Sequence, residues 1–538
     1  MNPTPPTPEA SPPQPKSLPV RVEAVLPPGV PWLPRRDSLV LLGVLVLFAV
    51  VFRDALCAGP RWHNVDEGLW TGLAAFYTTS DISFAEILIH GGDRPFHMGI
   101  YALCDRWFGH YNLVALGIAH SILIGVTAWG LALLGNALLR LRSPWALLAL
   151  GAVYVLHSYT IYEGEVGNSE HAANLFLIGF LALWVRGWRR DSEWLRYTAF
   201  LLLGCAFQTK KQLAPLVLCA PAFWALCLRQ RSATRGLRGF LHEMVGSAVF
   251  FLLPWLAVLL TISWGRPEGV LSANYVEYVI SNRAPPEGRL VKAYTRLHVH
   301  VANVLVMFAA AVSSLSVFVA APRDEAQRAQ LLPLKLLAVP FLLCLLATIP
   351  GFHLFSHYFL FALPISVVIC AALAQLALAR RVCAPRTLVA AAVSAFVVLG
   401  PPHWRSLQRR DNPRDLLVAQ WIQQQVEPDQ RILVWGWAPH LYLFSERIPA
   451  TRHVSISYLA NDYELEDVPD YDAVHMQTLL ADLERYPPEL IVVPEHQDWA
   501  FDGSRYALER FPPVVALIER DYVPFATAYE HRIFKRKR

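Results

Sequence analysis

The run Met244-Val-Gly-Ser-Ala-Val-Phe-Phe-Leu-Leu-Pro-Trp-Leu-Ala-Val-Leu-Leu-Thr-Ile-Ser-Trp264 contains no charged side chain. A helix of about 20 apolar residues matches the thickness of the hydrocarbon core of a bilayer. Apolar runs of roughly 18–22 residues recur along the chain, where a soluble protein would have shorter periodic stripes. The sequence therefore predicts a polytopic α-helical membrane protein.

The composition indicates the same class of protein. Of the 538 residues, 54% are hydrophobic and 17% are charged, whereas globular domains carry about 45–50% and about 25%. These proportions exclude a soluble enzyme, a disordered chain and a disulfide scaffold. The net charge of +5 comes from short Lys/Arg clusters between apolar runs. Such clusters are typical of membrane orientation and argue against nucleic-acid binding.

We predict about eleven transmembrane helices. They lie near 38–57, 111–139, 143–161, 170–187, 194–209, 212–228, 242–264, 299–321, 331–350, 354–379 and 386–404. The first is interpreted as an uncleaved span, because no small-residue cleavage site follows it. Residues 1–37 are rich in Pro and Ser and are predicted to be a disordered cytoplasmic tail.

Positive charges predict the orientation of the spans. Alternate connections carry Arg clusters, whereas the connections 162–169 and 350–353 carry neither Lys nor Arg. The positive-inside rule places the Arg-rich connections and the N-terminus in the cytoplasm. The loop 53–110, the pair Lys210-Lys211 and the C-terminal domain then lie outside a bacterial inner (plasma) membrane.

Residues 412–538 are predicted to form an extracytoplasmic α/β domain. Arg431–Trp435 and Glu489–Pro494 have the apolar, β-branched composition of buried strands, and Val514–Ile518 and Tyr522–Phe534 are predicted as further strands. No Gly-rich phosphate loop occurs there, so nucleotide binding has little support.

The first outer loop, 53–110, is too long for a simple connector. Two stretches in it have apolar residues at helical spacing: Leu69, Leu73, Phe76 and Tyr77, and then Phe96, Ile100, Leu103 and Trp107. We predict two helices lying in the membrane interface. Asp66 and Glu67 precede the first of them. These acids either complement the dipole of the helix or belong to a functional site.

Other ionisable residues are predicted on the same side of the membrane. They are the acids Glu163, Glu165 and Glu170 and the basic residues Arg94, His97, Lys210 and Lys211. Snorkelling at the membrane boundary is one interpretation of the lysines, but ionisable groups there are costly and favour a functional hypothesis. Transfer of a sugar from a polyprenyl-phosphate carrier needs this combination. A carboxylate removes the proton of an acceptor hydroxyl, and fixed cations stabilise the departing phosphate.

Several motifs occur in a recognisable order: Asp66-Glu67-Gly68, Asp93-Arg94-Pro95-Phe96-His97, Asn168-Ser169-Glu170, Ala206-Phe207-Gln208-Thr209-Lys210, Ser356-His357-Tyr358-Phe359-Leu360, Val434-Trp435-Gly436-Trp437 and Ile448-Pro449-Ala450-Thr451-Arg452. Together they resemble the GT-C membrane glycosyltransferases. The resemblance is to the bacterial branch related to protein O-mannosyltransferases and lipid A aminoarabinose transferases, and it covers roughly residues 38–450.

The resemblance implies a role for each matching position. Asp66 matches the catalytic general base, with Glu67 beside it. Lys210, with Lys211 next to it, matches an element that contacts the donor phosphate. Arg94 stands where relatives have Lys or Arg before Pro, in the motif that ends at His97. His357-Tyr358 matches a donor-binding pair, and Glu163, Glu165 and Glu170 are alternatives for the second acidic residue.

The resemblance further implies an inverting reaction between a polyprenyl-phosphate-sugar donor and a lipid, glycan or protein acceptor, at the outer face of the inner membrane. It makes no cofactor certain and allows a divalent metal. His353 and His357 are four residues apart, and His298 and His300 two apart, but hydrogen-bonded structural histidines are the simpler interpretation, so no metal ligand is assigned.

Two other functions are compatible with many spans. A transporter or lipid-carrier flippase usually has ionisable residues at the bilayer midplane and internal repeats, whereas here the charges cluster at one face. A scaffold that displays the C-terminal domain would not need the acidic and basic residues outside. Cys57 and Cys104 both lie on the outer side, and their spacing does not decide whether they pair.

Overall fold

The computed structural model describes residues 34–56, 65–90, 94–139, 141, 143–161, 168–190, 192–228, 236–263, 310–317, 325–348, 356–379, 413–456, 459, 471–494 and 506–538. Within these ranges the chain is mostly helical up to residue 379, and a β-sheet follows in the C-terminal part. The predicted spans near 299–321 and 386–404 lie wholly or largely outside them. Cys57, which together with Cys104 was a candidate for pairing, also lies outside the described residues.

The helices of the N-terminal part follow the apolar runs. They are α1 (Arg35–Leu56), α2 (Val65–Thr78), α3 (Phe84–His90), α4 (Pro95–Phe108), α5 (Leu113–Leu139), α6 (Pro144–Ile161), α7 (Ser169–Arg189), α8 (Glu193–Thr209), α9 (Cys219–Leu228), α10 (Gly236–Ser263), α11 (Glu325–Ala347) and α12 (Leu363–Ala379). Short 3₁₀ helices at Lys211–Leu218 and Ser356–Phe361 precede α9 and α12. The first contains Pro215, which cannot donate to an α-helical ladder.

Two helices in the described ranges are long and apolar enough to cross a membrane, Leu113–Leu139 and Leu237–Thr261. The first is mostly buried inside the bundle, and the second is mostly exposed. The total of eleven spans therefore stays a prediction.

A buried ion pair joins two helices of the bundle. Arg196 on α8 donates two hydrogen bonds to Glu243 on α10, with Nε–Oε1 and Nη2–Oε2 distances of 2.7 and 2.9 Å. The guanidinium carbon of Arg196 lies 4.7 Å from the centre of the Trp188 ring on α7. Because a charge without a partner is costly inside a protein, this pair fixes how α8 and α10 meet.

The C-terminal part forms a five-stranded sheet with the order β2-β1-β3-β5-β4. The strands are β1 (Arg431–Val434), β2 (Ile448–Pro449), β3 (Leu490–Pro494), β4 (Tyr522–Ala528) and β5 (His531–Arg536), and the helices are α13 (Pro413–Gln425), α14 (His440–Ser445), α15 (Ala473–Arg485) and α16 (Pro512–Asp521). β1 pairs in parallel with β2 and β3, whereas β5 is antiparallel to β3 and β4. This mixed sheet agrees with the expected α/β character.

Two strand predictions need correction. The predicted strand Val514–Ile518 is wrong, because these residues belong to α16. Val514, Leu517 and Ile518 are buried at helical spacing, and Pro512 begins the helix. The single predicted strand Tyr522–Phe534 is instead the hairpin of β4 and β5, which turns at Tyr529 and Glu530 with φ angles of 52° and 66°.

The helices of the first outer loop share a hydrophobic core with the C-terminal domain. Leu73 and Phe76 on α2 pack in one cluster with Val418, Ile432 and Leu441 of that domain. The apolar face of α2 is therefore covered by protein, not by lipid. Phe96, Leu103 and Trp107 on α4 are exposed, so an interfacial location remains a prediction for that helix.

Candidate functional site

The first turn of α2 carries the acidic pair. Asp66 is half-buried and Glu67 is buried, and the helix N-terminus favours both carboxylates electrostatically. Glu67 and Arg53 lie within electrostatic range of Tyr101 and His120. Arg53, in the last turn of α1, is itself buried. Glu67 therefore lies among buried polar groups that include a cation, and Asp66 is the more accessible acid.

Lys210 occupies the break after α8. Its backbone is extended, with φ −147° and ψ 104°, so the chain turns away from the helix there. Its Nζ lies 2.6 Å from Oε1 of Glu170, which is in the first turn of α7. The same Nζ lies 5.1 Å from the centre of the Tyr358 ring. Three separate stretches of chain thus meet at one buried ammonium group.

Arg94 and His97 belong to the first outer loop and lie within electrostatic range of the ammonium group of Lys210. The guanidinium carbon of Arg94 lies 5.3 Å from the centre of the Trp70 ring. The ring centres of Trp70 and His97 are 4.8 Å apart in an edge-to-face arrangement. His97 is fully buried, and neither of its ring nitrogens has a hydrogen-bond partner among the described residues. A buried imidazole without such a partner is costly, so this position favours a bound ligand or water.

Electrostatic effects connect the acidic and basic groups. Burial lowers the pKa of His97 well below its usual value, and His120, Arg94, Lys210 and His171 lower it further. Burial also lowers the pKa of Lys210; Glu170 opposes that shift, and the charge of Asp66 acts in the same direction as Glu170. The charge of Asp66 therefore acts on Lys210, so the two groups lie within electrostatic range of each other.

The other predicted residues have different surroundings. Nζ of Lys211 donates to Oε1 of Gln208 at 2.7 Å and lies 5.2 Å from the centre of the Phe207 ring, both on α8. Tyr358 lies beside Lys210. Glu163 and Glu165 lie outside the described residues, as does the side chain of His357.

Several groups at this site did not emerge from the sequence. They are Arg53, Trp70, Tyr101, His120 and His171. Arg53 ends an apolar run, where a cation is ordinarily taken as a membrane anchor, and His120 lies inside a predicted span. The sequence offered one signal for these residues. Each is a polar or aromatic residue that lies in the first outer loop or near the outer end of a predicted span.

The described residues contain no group of three or more His, Cys, Asp or Glu side chains placed to hold a metal ion. His298, His300 and His353 lie outside the described ranges.

The titration of His97 gives a prediction about acid stability. Since its pKa is lowered in the folded protein, the unfolded chain binds the proton more readily, and stability falls as the pH drops below about 6.5. Each pH unit below that value lowers the free energy of unfolding by up to about 1.4 kcal/mol, until the pKa of the folded state is reached. We expect His97→Gln to lose less thermal stability than the wild type between pH 7.5 and pH 5.5, measured by thermal unfolding in detergent.

His110 provides a control, because its contribution to stability should depend on pH in the opposite direction. Its hydrogen bond to Asp105 at 2.7 Å raises its pKa, so its contribution is present at low pH and is lost as the pH rises through the folded pKa. His110→Gln should therefore become more acid-sensitive, by a small amount because the side chain is partly exposed. An unchanged acid response in His97→Gln would contradict the assignment of a buried neutral imidazole.

No family model and no curated protein sequence matches the chain. Among solved structures it is similar to the archaeal oligosaccharyltransferase AglB from Archaeoglobus fulgidus in complex with an inhibitory peptide and a dolichol-phosphate. The identity is 11%, the TM-score is 0.49, and 84% of this chain and 69% of that one are covered. It is also similar to ArnT from Cupriavidus metallidurans bound to undecaprenyl phosphate, with 12% identity, a TM-score of 0.39 and coverage of 93% and 98%.

Proposed function

We propose that the protein is an inverting glycosyltransferase that moves a sugar from a polyprenyl-phosphate donor to a hydroxyl acceptor at the outer face of a bacterial inner membrane. One observation carries the proposal. The half-buried carboxylate of Asp66 and the buried ammonium of Lys210 come from distant stretches of chain and lie within electrostatic range of each other. This arrangement provides a base and an anion-binding cation in one site.

The proposed reaction uses each group at a defined atom. The carboxylate of Asp66 takes the proton of the acceptor hydroxyl while that oxygen bonds to the anomeric carbon. The bond from the anomeric carbon to the phosphate oxygen breaks, and the electron pair leaves on the phosphate. Lys210 and Arg94 stabilise the charge that grows there, because fixed cations in a partly desolvated site interact strongly with it.

The aromatic neighbours support the same assignment. Tyr358 holds the ammonium of Lys210 over its ring, and Trp70 holds the guanidinium of Arg94. Cation–π contacts fix the positions of both cations without neutralising their charge. Glu170 pairs with the ammonium of Lys210, but an ammonium group has three N–H donors, so two of them stay able to donate to a phosphate.

The experiment is reconstitution of the purified protein in vesicles that contain an undecaprenyl-phosphate sugar. Mass spectrometry follows the release of undecaprenyl phosphate and the gain of one glycosyl mass by an acceptor from the cell envelope. We expect release to require the acceptor. Movement of the intact donor between leaflets without cleavage of its sugar–phosphate bond would support a flippase and contradict the proposal.

A further inference from the structure

The helix that carries the acidic pair meets the C-terminal domain backbone to backbone. A Cβ atom built on Gly68 would lie 2.6 Å from both Cα and N of His440, and 2.7 Å from the carbonyl carbon of Pro439. Since all three are backbone atoms, no side-chain movement relieves such a contact. Gly68 directly follows Asp66 and Glu67, so the contact lies at the turn that holds them.

A second glycine extends this contact by one helical turn. A Cβ atom on Gly72 would lie 2.7 Å from Cγ1 of Val454 and 3.5 Å from Cγ of Pro449. Here the close atom belongs to a side chain, so removal of that side chain would make room. The two glycines, four residues apart, define one face of α2.

The far end of α2 is tied to the same domain by polar contacts. Arg431 on β1 donates through Nη2 to the carbonyl oxygen of Thr79 at 2.7 Å and to its hydroxyl at 3.1 Å. Its guanidinium carbon also lies 5.4 Å from the centre of the Phe76 ring. Just beyond, Nη1 of Arg452 lies 3.7 Å from Oε1 of Glu86. The domain thus holds both ends of α2.

From these contacts we propose that the C-terminal domain positions Asp66, and that Gly68 and Gly72 are the positioning residues. The inference rests on the proposed function, and it gives the domain a role in the transfer step itself. Lys210 directly follows α8 and Glu170 lies on α7, both in the bundle, whereas Asp66 lies on α2. The docking of the domain therefore sets the distance between the base and the phosphate-binding cation.

The expected effect is on turnover and not on donor binding. A displacement of a reacting group by about 1 Å can cost about 100-fold in rate. Gly72→Ala should lower kcat by about 10- to 100-fold on this basis, and its KM for the donor should stay within about twofold, since the cations lie on other elements.

Rescue by a second substitution separates positioning from a general loss of structure. Val454→Ala removes the methyl group nearest to the Cβ of Ala at position 72. The double variant Gly72→Ala with Val454→Ala should regain most of the lost kcat. Gly68→Ala should lose kcat similarly and should not be rescued by Val454→Ala, because its close contacts are backbone atoms.

Gly99→Ala on α4 is the matched control. A Cβ atom there meets nothing within 4 Å, so it tests the effect of a helical Gly→Ala change alone, and wild-type kcat is expected. Wild-type kcat in Gly72→Ala, or a loss that Val454→Ala does not restore, would overturn the proposal.

A readout without catalysis keeps this test independent of the proposed function. Hydrogen–deuterium exchange of the peptides that cover α2 should become faster in Gly72→Ala and return toward wild type in the double variant. If the wild type shows no transfer, the glycosyltransferase assignment fails, and the exchange result still tests the docking. If exchange in α2 is unchanged in Gly72→Ala, the positioning role fails, whatever the activity.

Discussion

Asp66→Asn is expected to lower the rate of sugar transfer by about 1,000-fold, because general bases contribute about 10²- to 10⁴-fold and an amide cannot take up the proton. The amide has nearly the size of the carboxylate, so the packing of α2 should persist. Steady-state kinetics with an undecaprenyl-phosphate sugar should locate the loss in kcat, with the KM for the donor changed by a few-fold at most.

Two other substitutions make this result specific. Asp81→Asn removes a carboxylate from the same outer loop, where it bonds Arg485 and Tyr486 of the C-terminal domain. Because this ion pair is exposed, it adds little to the docking of the domain, and the transfer rate should stay near wild type. Glu67→Gln changes the buried acid of the pair, and its main effect should be on thermal stability. If Glu67→Gln loses far more kcat than Asp66→Asn, Glu67 is the base and the assignment to Asp66 is wrong.

The sequence predicted the helices better than it predicted their surroundings. Apolar runs fixed the bounds of helices such as α5 and α6 to within a few residues, because each run follows from local composition. The same information could not tell whether the apolar face of α2 meets lipid or protein. Leu73 and Phe76 would be buried in either case, and the residues that cover them, such as Ile432 and Leu441, are more than 350 positions away.

Within the C-terminal domain the error has a similar origin. Val514–Ile518 has the β-branched residues of a strand, yet Pro512 and the spacing of the buried side chains make it a helix. A run of five apolar residues is compatible with either structure, and tertiary packing decides between them.

Part of the candidate site could be predicted because charged residues at a membrane boundary stand out against an apolar sequence. The predicted orientation of the loops placed Asp66, Arg94 and Lys210 on the same side of the membrane. It could not predict which side chains contact each other. The structure identifies Glu170 as the ion-pair partner of Lys210. It also brings in Trp70, an aromatic residue that looks like ordinary core in the sequence. Such pairings depend on contacts between helices, for which no local pattern exists.

Lys210→Gln gives the second large expected effect. Loss of one charge-stabilising group from a transition state costs about 10²- to 10³-fold in kcat. The ground-state phosphate also contacts this cation in the proposed site, so the KM for the donor should rise as well. Lys211→Gln is the matched control, since the adjacent ammonium is held by Gln208 and Phe207 of α8. The fold-decrease of kcat in Lys211→Gln should be at least tenfold smaller than the fold-decrease in Lys210→Gln.

The ion pair with Glu170 allows a structural role of Lys210 to be separated from a role in catalysis. If Lys210 only balances the buried charge of Glu170, then Lys210→Gln and Glu170→Gln should be equally harmful, and the double variant should recover activity because no buried charge stays unpaired. If Lys210 contacts the phosphate, Glu170→Gln should be the milder change, since the cation persists, and the double variant should be as inactive as Lys210→Gln. We expect the second pattern in kcat and the first pattern in thermal stability, because in the proposed site the same ammonium group pairs with Glu170 and binds the departing phosphate.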